Sequence, residues 1–251
     1  MDEIARAWRF EREMQDRCAH SRREFEFGTA LYNDELRRVF DSNFVRFDRG
    51  FDALDGEVVE GCADDLQASL SHRKVVIPDA DAGARVTAEL RERGWRYFTL
   101  VTMAFRGAEE APGPRPVEEV GAGELRAARH RALDDGRRDA EARRQIVAFT
   151  ELMAEVGPTR LFAARGDRAE IGSFCALFQE DGVAQIDEVT TVEQYRRRGL
   201  ARAVVVGALR ASLEADAELV FLVADEADWP MRWYERLGFE PIGRRYELIR
   251  T

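Results

Sequence analysis

The sequence predicts an α/β protein of the α+β kind, in which helices flank a mixed, mostly antiparallel sheet. Two observations in the second half carry this prediction. Strand-like runs at residues 159–165, 170–179 and 183–191 follow one another with short turns between them, which is typical of an antiparallel meander. A strongly apolar helix over 199–215 is then followed by the continuous apolar run 218–224, as expected of a buried central strand.

The remaining elements of the second half enclose these strands. Helical patterns run over 123–133 and over 141–156, and a Gly-Pro pair ends the second of them. A short helix rich in aromatic residues ends at Gly238, and a strand over 239–250 closes the chain. These elements predict a complete α/β unit in the second half.

The first half shows a similar order of elements. Strands are predicted over 25–31 and 43–49, a helix over 58–70, a strand over 73–78, a helix over 82–93 and a strand over 97–105. This order repeats that of the end of the chain, although residue identity between the halves is low. The sequence therefore predicts a second, smaller lobe that precedes the first unit and is related to it by duplication.

The segment 106–120 separates the two halves. It holds three of the seven prolines and two glycines, and it follows a strong strand. We therefore expect a boundary near residue 110, with one lobe over 1–110 and the other over 111–251.

Composition excludes several classes of protein. With 48 acidic and 38 basic residues the formal net charge is −10, which disfavours sequence-independent binding to nucleic acid, so no such partner is expected. No apolar run approaches the ~18 residues that span a bilayer, and the N-terminus is too charged for a signal peptide. We therefore expect no membrane association and a cytoplasmic location. The cysteines and histidines are few and scattered, which argues against disulfides and against a metal site.

An arginine-rich stretch, V-E-Q-Y-R-R-R-G-L-A-R, joins the third strand of the meander to the next helix. Its core, Arg196-x-x-Gly199-x-Ala201, is a weak motif by itself in a chain so rich in arginine. At a strand-to-helix junction, however, the first backbone N–H groups are unpaired and the helix dipole is positive. The stretch therefore predicts an anion site suited to a pyrophosphate. The alternative is a solvent-exposed arginine cluster at the start of an ordinary helix.

A second motif, W-Y-E-R-L-G-F, follows one helix and one strand later and places Tyr234 in the middle of a short helix. Taken alone, its aromatic residues are typical of a core around a helix end. Taken together, the two motifs resemble the GNAT superfamily of acyl-CoA-dependent N-acetyltransferases. The order of elements over 116–251 also matches that fold.

The resemblance implies a cosubstrate and roles for individual residues. Acetyl-CoA is the expected cosubstrate, without a metal, and the backbone of Val189, Thr190 and Thr191 is expected to face its pantetheine arm. Tyr234 matches the tyrosine that protonates the departing thiolate. The pyrophosphate would be bound by Arg196, Arg197, Arg198, Gly199, Leu200 and Ala201, with Arg202 as a supplementary contact.

Several positions depart from the pattern of the superfamily. Ala201 replaces the commoner second glycine, Ala227 stands where an asparagine often lies, and Thr191 occupies a position commonly filled by valine. The first lobe has no comparable loop, and acidic residues follow its strand over 43–49 where they would repel phosphates. We interpret it as a degenerate GNAT-like lobe that covers the sheet and shapes the acceptor site.

The predicted function is direct transfer of an acetyl group to a primary amine of a small molecule or peptide. Such an amine is mostly protonated at neutral pH, so attack needs a base. Successive strand residues point to opposite faces, so one of Asp187 and Glu188 should enter the acceptor cleft; Glu188 is favoured over Asp187 or a water relay. A backbone N–H near Val189–Thr191 would bind the oxyanion.

A different class of function is also compatible with these residues. The chain could keep the fold without turnover, as a non-catalytic acyl-CoA-binding regulatory module, although the presence of Tyr234 favours the enzyme. A monomer or a homodimer is expected in either case.

Overall fold

A computed structural model describes residues 2–107, 115–134, 136, 138–167 and 169–251. The helices are α1 (Glu3–Cys18), α2 (Gly56–Leu66), α3 (Ala80–Glu92), α4 (Ala122–Ala132), α5 (Ala140–Glu155), α6 (Leu200–Glu214) and α7 (Pro230–Glu235). The strands are β1 (Ser21–Phe25), β2 (Gly28–Tyr32), β3 (Phe44–Phe47), β4 (Arg73–Ile77), β5 (Arg96–Phe105), β6 (Glu118–Val120), β7 (Thr159–Arg165), β8 (Ile171–Glu180), β9 (Val183–Thr191), β10 (Leu219–Asp225) and β11 (Phe239–Arg250). The boundary expected near residue 110 lies outside the described residues.

Within the described part of the chain, the strands form one eleven-stranded sheet in the order β1-β2-β3-β4-β11-β5-β10-β9-β8-β7-β6. Two neighbouring pairs, β3 with β4 and β9 with β10, are parallel, and the other pairs are antiparallel. The predicted mixed, mostly antiparallel sheet with flanking helices is therefore confirmed.

The centre of this sheet is made from the last strand of each half. β5, which ends the first half, lies between β10 and β11, and β11 in turn lies between β4 and β5. These two strands pair antiparallel from Phe239↔Phe105 to Ile249↔Arg96. Each half thus inserts its last strand beside the parallel pair of the other half, so the sheet is pseudo-symmetric about the β5–β11 pair.

The two faces of the sheet are covered by different sets of helices. α6 and α7 pack on one face against a core that includes Ile186 and Val101, and α2 and α3 pack further along the same face. α1 and α4 pack on the opposite face, where Phe10 meets Phe221 edge to face at 6.0 Å. The two faces of the sheet are therefore covered by differently built helical layers.

The N-terminal elements differ from the prediction. A single strand was expected over 25–31, whereas the chain forms a hairpin whose turn lies at residues 26–27. Helix α1 is not part of the prediction, because its charged residues conceal an apolar stripe at helical spacing: Ala7, Phe10, Met14 and Cys18. None of the described helices is both long and apolar enough to cross a membrane.

We expect a fragment of residues 115–251 not to fold by itself. In the described sheet β11 is hydrogen-bonded to β4 and β5, which both belong to the first half. The fragment would lack both of these strands, and its β10 would lack β5 as well. Size-exclusion chromatography and circular dichroism should show an aggregated or poorly ordered fragment, and co-expression with residues 1–114 should restore a compact complex. A monomeric fragment with a cooperative thermal transition would contradict this expectation.

Candidate functional site

The two parallel strands of the second half separate part-way along their length. Residues 183–185 of β9 pair with residues 219–221 of β10, and the pairing ends there. β9 continues to Thr191 beside β8, while β10 continues to Asp225 beside β5. A V-shaped gap therefore opens at the carboxyl ends of the strands, which is where α/β sheets commonly bind ligands. Its β9 edge carries three half-buried residues: Val189, Thr190 and Thr191.

A β-bulge lies on β9 at the start of this gap. Glu188 has φ of 54°, and the register shifts so that Glu188 and Val189 together oppose the single residue Cys175 of β8. The expected alternation of side chains is therefore wrong at this point. Asp187 and Glu188 both lie on the face covered by α1 and α4, whereas Val189 packs toward α6.

Glu188 is bound to a buried arginine. Its two carboxylate oxygens accept hydrogen bonds from Nε and Nη2 of Arg129 at 2.7 and 2.6 Å, and Arg129 is only 2% exposed. Burial raises the pKa of Glu188 although Arg129 opposes this effect. The third guanidinium nitrogen, Nη1, is buried with no hydrogen-bond partner among the described residues. This ion pair fixes the bulge to α4.

Arg129 is a site residue that the sequence reasoning missed. It occupies a buried position on α4 one helical turn after Leu125, on a face that is otherwise apolar. An arginine at such a position needs a buried carboxylate, so the break in the apolar stripe was the available signal.

Asp187 is held differently from Glu188. Its Oδ1 accepts the backbone N–H of Glu188 at 2.7 Å, and no ion pair to Asp187 is found among the described residues. Burial raises the pKa of Asp187, while Arg245 lowers it. The carboxylate therefore lacks a cation of its own.

Tyr234 is the fifth of the six residues of α7, so it lies at the end of this helix and not in its middle as the sequence predicts, and it is buried in the core that also contacts Val189. It is 7% exposed, and its ring contacts Trp233 at 4.9 Å and Phe239 at 6.1 Å between centroids. Burial raises the pKa of its hydroxyl, and the nearby Asp187 adds to this shift. The phenol is consequently protonated at neutral pH, and the charge of the Asp187 carboxylate acts on its pKa.

The arginine-rich loop forms an open helix start. After a 3₁₀ turn over Glu193–Tyr195, Arg197 and Gly199 have positive φ of 62° and 77°, a backbone form that turns successive N–H groups toward a common point. Helix α6 then begins with no side-chain cap and no acidic residue in its first turn. Its first N–H groups are therefore without intrahelical partners.

The arginine side chains of this loop differ in their contacts. Arg198 pairs with Asp167 and lies 5.5 Å from the centre of the Tyr195 ring. Arg196 and Arg197 are exposed and make no ion pair with a described residue. Two guanidinium groups are thus available beside the uncapped helix start, as a phosphate site requires.

The corresponding helix of the first half has a closed start. α2 follows β3 as α6 follows β9, but Asp55 caps it by accepting the N–H of Val58 at 2.8 Å. Glu89 accepts the N–H of Gly56 at 2.7 Å. The chain's own carboxylates therefore occupy in the first half the position that is open in the second.

The comparisons with known proteins agree with this geometry. Residues 167–248, which contain the bulge, the loop and Tyr234, match the model of the FR47-like protein family. A GCN5-related N-acetyltransferase from Kribbella flavida is 22% identical, with a TM-score of 0.60 over 99% of this chain and 95% of that chain. The chain has the GNAT fold. The search of curated proteins finds no match.

Two further solved structures are similar to this chain over most of its length. A functionally unknown protein from Staphylococcus epidermidis has a TM-score of 0.68 and 13% identity, over 92% of this chain and 93% of that one. A tandem GNAT protein from the clavulanic acid biosynthesis pathway has a TM-score of 0.50 and 14% identity, over 78% and 67%. The resemblance to a GNAT protein with two lobes in tandem is thus confirmed.

The GNAT fold brings most of the predicted site residues to one gap. Val189, Thr190 and Thr191 lie on its β9 edge, the loop over 196–201 follows that edge, and Tyr234 packs in the same core as Val189. Ala227 lies in the loop that follows β10, where its N–H binds Asp225 at 2.9 Å. Among the described residues no cluster of three or more metal-binding side chains occurs.

We expect one CoA to bind per chain. The start of α6 is open to phosphates, whereas Asp55 and Glu89 already fill the start of α2 with negative charge. Isothermal titration with CoA should give a stoichiometry near one. Two equivalent sites would contradict the difference that we infer between the lobes.

Gly199→Asp should abolish CoA binding, with Gly199→Asn as the matched control. Both residues tolerate a positive φ better than other side chains, so both should fold with a similar small loss of stability. The carboxylate adds charge repulsion where phosphate must meet backbone N–H groups. Titration with CoA and melting temperatures test this. Normal affinity in a folded Gly199→Asp variant would remove the loop from the binding site.

Proposed function

We propose that this protein is an N-acetyltransferase that moves an acetyl group from acetyl-CoA to a primary amine. The observation that carries the proposal is the contrast between the two equivalent helix starts, one closed by Asp55 and Glu89 and the other open and flanked by arginines. The fold and the FR47-like match support the same class of activity.

The shape of the gap suits the three parts of acetyl-CoA. The pyrophosphate would bind the N–H groups at the start of α6, with Arg196 and Arg197 supplying charge. The pantetheine amides would pair with the open backbone edge of β9 near Val189–Thr191, as an added strand does. The thioester would then lie at the inner end of the gap, beside Tyr234.

The chemistry begins with attack of the amine nitrogen on the thioester carbonyl carbon. A backbone N–H near Val189–Thr191 would bind the oxyanion of the tetrahedral intermediate. As the C–S bond breaks, Tyr234 would give its proton to the thiolate. Burial raises the pKa of the phenol, so Tyr234 holds that proton until the thiolate leaves. A carboxylate at the bulge serves as the base, and the sequence favours Glu188 for that role.

The acceptor approaches from the face covered by α1 and α4. Both carboxylates at the bulge lie on that face, whereas the phosphate loop opens toward the face of α6.

A screen of amino acids, aminoglycosides and peptides with free N-termini, with detection of the released CoA thiol, tests the proposal. Binding of CoA without thiol release from any amine would favour the non-catalytic acyl-CoA-binding module instead.

Tyr234→Phe should lower kcat by ~10²–10⁴, the usual contribution of a positioned general acid. No hydrogen-bond partner of the hydroxyl is found among the described residues, so its removal should change the melting temperature little. Affinity for acetyl-CoA should also change little, since the hydroxyl acts mainly in the transition state. Steady-state kinetics with an amine from the screen provides the measurement. An unchanged kcat with rate-limiting chemistry would exclude Tyr234 as the acid.

A further inference from the structure

The two carboxylates at the bulge differ in what they are bound to. Both oxygens of Glu188 are bound by Arg129 at 2.6 and 2.7 Å. A carboxylate in such a buried bidentate pair cannot accept a proton without leaving the guanidinium uncompensated, which costs several kcal/mol in proteins. Glu188 is therefore poorly suited to exchange protons with a substrate during each turnover.

Asp187 has a free proton-accepting position. Among its hydrogen bonds to described residues, Asp187 uses only Oδ1, which accepts the N–H of Glu188 at 2.7 Å. The cation that acts on the pKa of Asp187 is Arg245, which is already bound to both oxygens of Glu11 at 2.8 Å and to Glu247 at 3.1 Å. It lowers the pKa of Asp187 but does not form an ion pair with it. The second oxygen is thus left for a ligand.

Asp187 also lies where the reacting atoms are expected. It stands two residues beyond the last residue of β9 that pairs with β10, where the gap begins, and its charge raises the pKa of Tyr234. Ionisable groups reach it from every neighbouring element: Glu11, Asp41, Cys175, Glu188, Tyr234 and Arg245. Three of these carboxylates are already paired with cations, Glu11 with Arg245, Asp41 with Lys74 and Glu188 with Arg129.

We propose that Asp187 is the base that deprotonates the acceptor amine, and that Arg129 and Glu188 form a positioning pair that fixes the bulge. The assignment rests on the proposed acetyl transfer, and it replaces Glu188 in the role that the sequence favours.

One proton of the ammonium acceptor passes to Asp187 and then to solvent, after which the nitrogen forms the C–N bond. The Tyr234 proton goes to the thiolate as the C–S bond breaks. The second amine proton restores the phenol through water, so one proton is released in each turnover.

The test compares Asp187→Asn with Glu188→Gln on two nucleophiles. An alkyl amine from the screen is mostly protonated at neutral pH and needs a base, whereas methoxyamine is mostly unprotonated and does not. Asp187→Asn keeps an oxygen for the Glu188 N–H and should fold, and Asp187→Ser is a second variant with the same property. Thiol release from acetyl-CoA, CoA affinity and melting temperature are measured for each.

Asp187→Asn should lower kcat/KM for the alkyl amine by ~10²–10⁴ and change that for methoxyamine little. Glu188→Gln should reduce both rates alike and lower the melting temperature, since Arg129 loses its counter-charge. Raising the pH toward the pKa of the alkyl amine should restore activity to Asp187→Asn and not to Glu188→Gln.

Two results would overturn the assignment while leaving the proposed transfer in place. A loss confined to the alkyl amine in Glu188→Gln would make Glu188 the base, and equal loss on both nucleophiles in Asp187→Asn would make Asp187 structural. No thiol release by the unmodified protein with either nucleophile would instead overturn the proposed transfer, and the assignment with it.

Discussion

The antiparallel pairing of β5 with β11 is the contact on which the rest of the structure depends. It joins two lobes at the middle of one sheet, and each strand completes the lobe to which it does not belong by sequence. Side chains of β11 extend the connection: Glu247 binds Lys74 of β4 at 2.6 Å, and Arg245 binds Glu11 of α1. These buried pairs are costly to break singly, so they fix β11 relative to β4 and α1.

The two lobes use the same position in the fold in opposite ways. A side-chain cap stabilises a helix by about 0.5–2 kcal/mol, and α2 has this stabilisation from Asp55. α6 has no such cap, and arginines in place of a carboxylate leave its start with excess positive charge. The local loss of helix stability is the condition for binding an anion there, because a phosphate must find N–H groups that the protein has not already used.

The bulge on β9 also lowers local stability and, by doing so, forms part of the candidate site. A non-glycine residue at φ of 54° costs roughly 1–3 kcal/mol, and the buried pair between Glu188 and Arg129 holds it in that conformation. The result is that two adjacent carboxylates lie on one face of the sheet. One of them is held by its arginine, and the other, Asp187, keeps an oxygen available and raises the pKa of Tyr234 through its charge.

Local patterns in the sequence determine much of this protein. Strands over 159–165, 183–191 and 239–250, the helix start at Gly199 and the position of Tyr234 follow from alternation, turn residues and helix signals within a few residues. The tertiary structure alone decides that β5 and β11 exchange lobes, since the apolar pattern of a strand does not specify which other strand it pairs with. It also decides the bulge, because the residue opposite Cys175 depends on register, and it decides that Arg129 meets Glu188 across 59 positions of the chain. Contacts between residues so far apart are selected by packing and by the need to neutralise buried charge. Neither of these two factors can be predicted from a pattern of a few neighbouring residues.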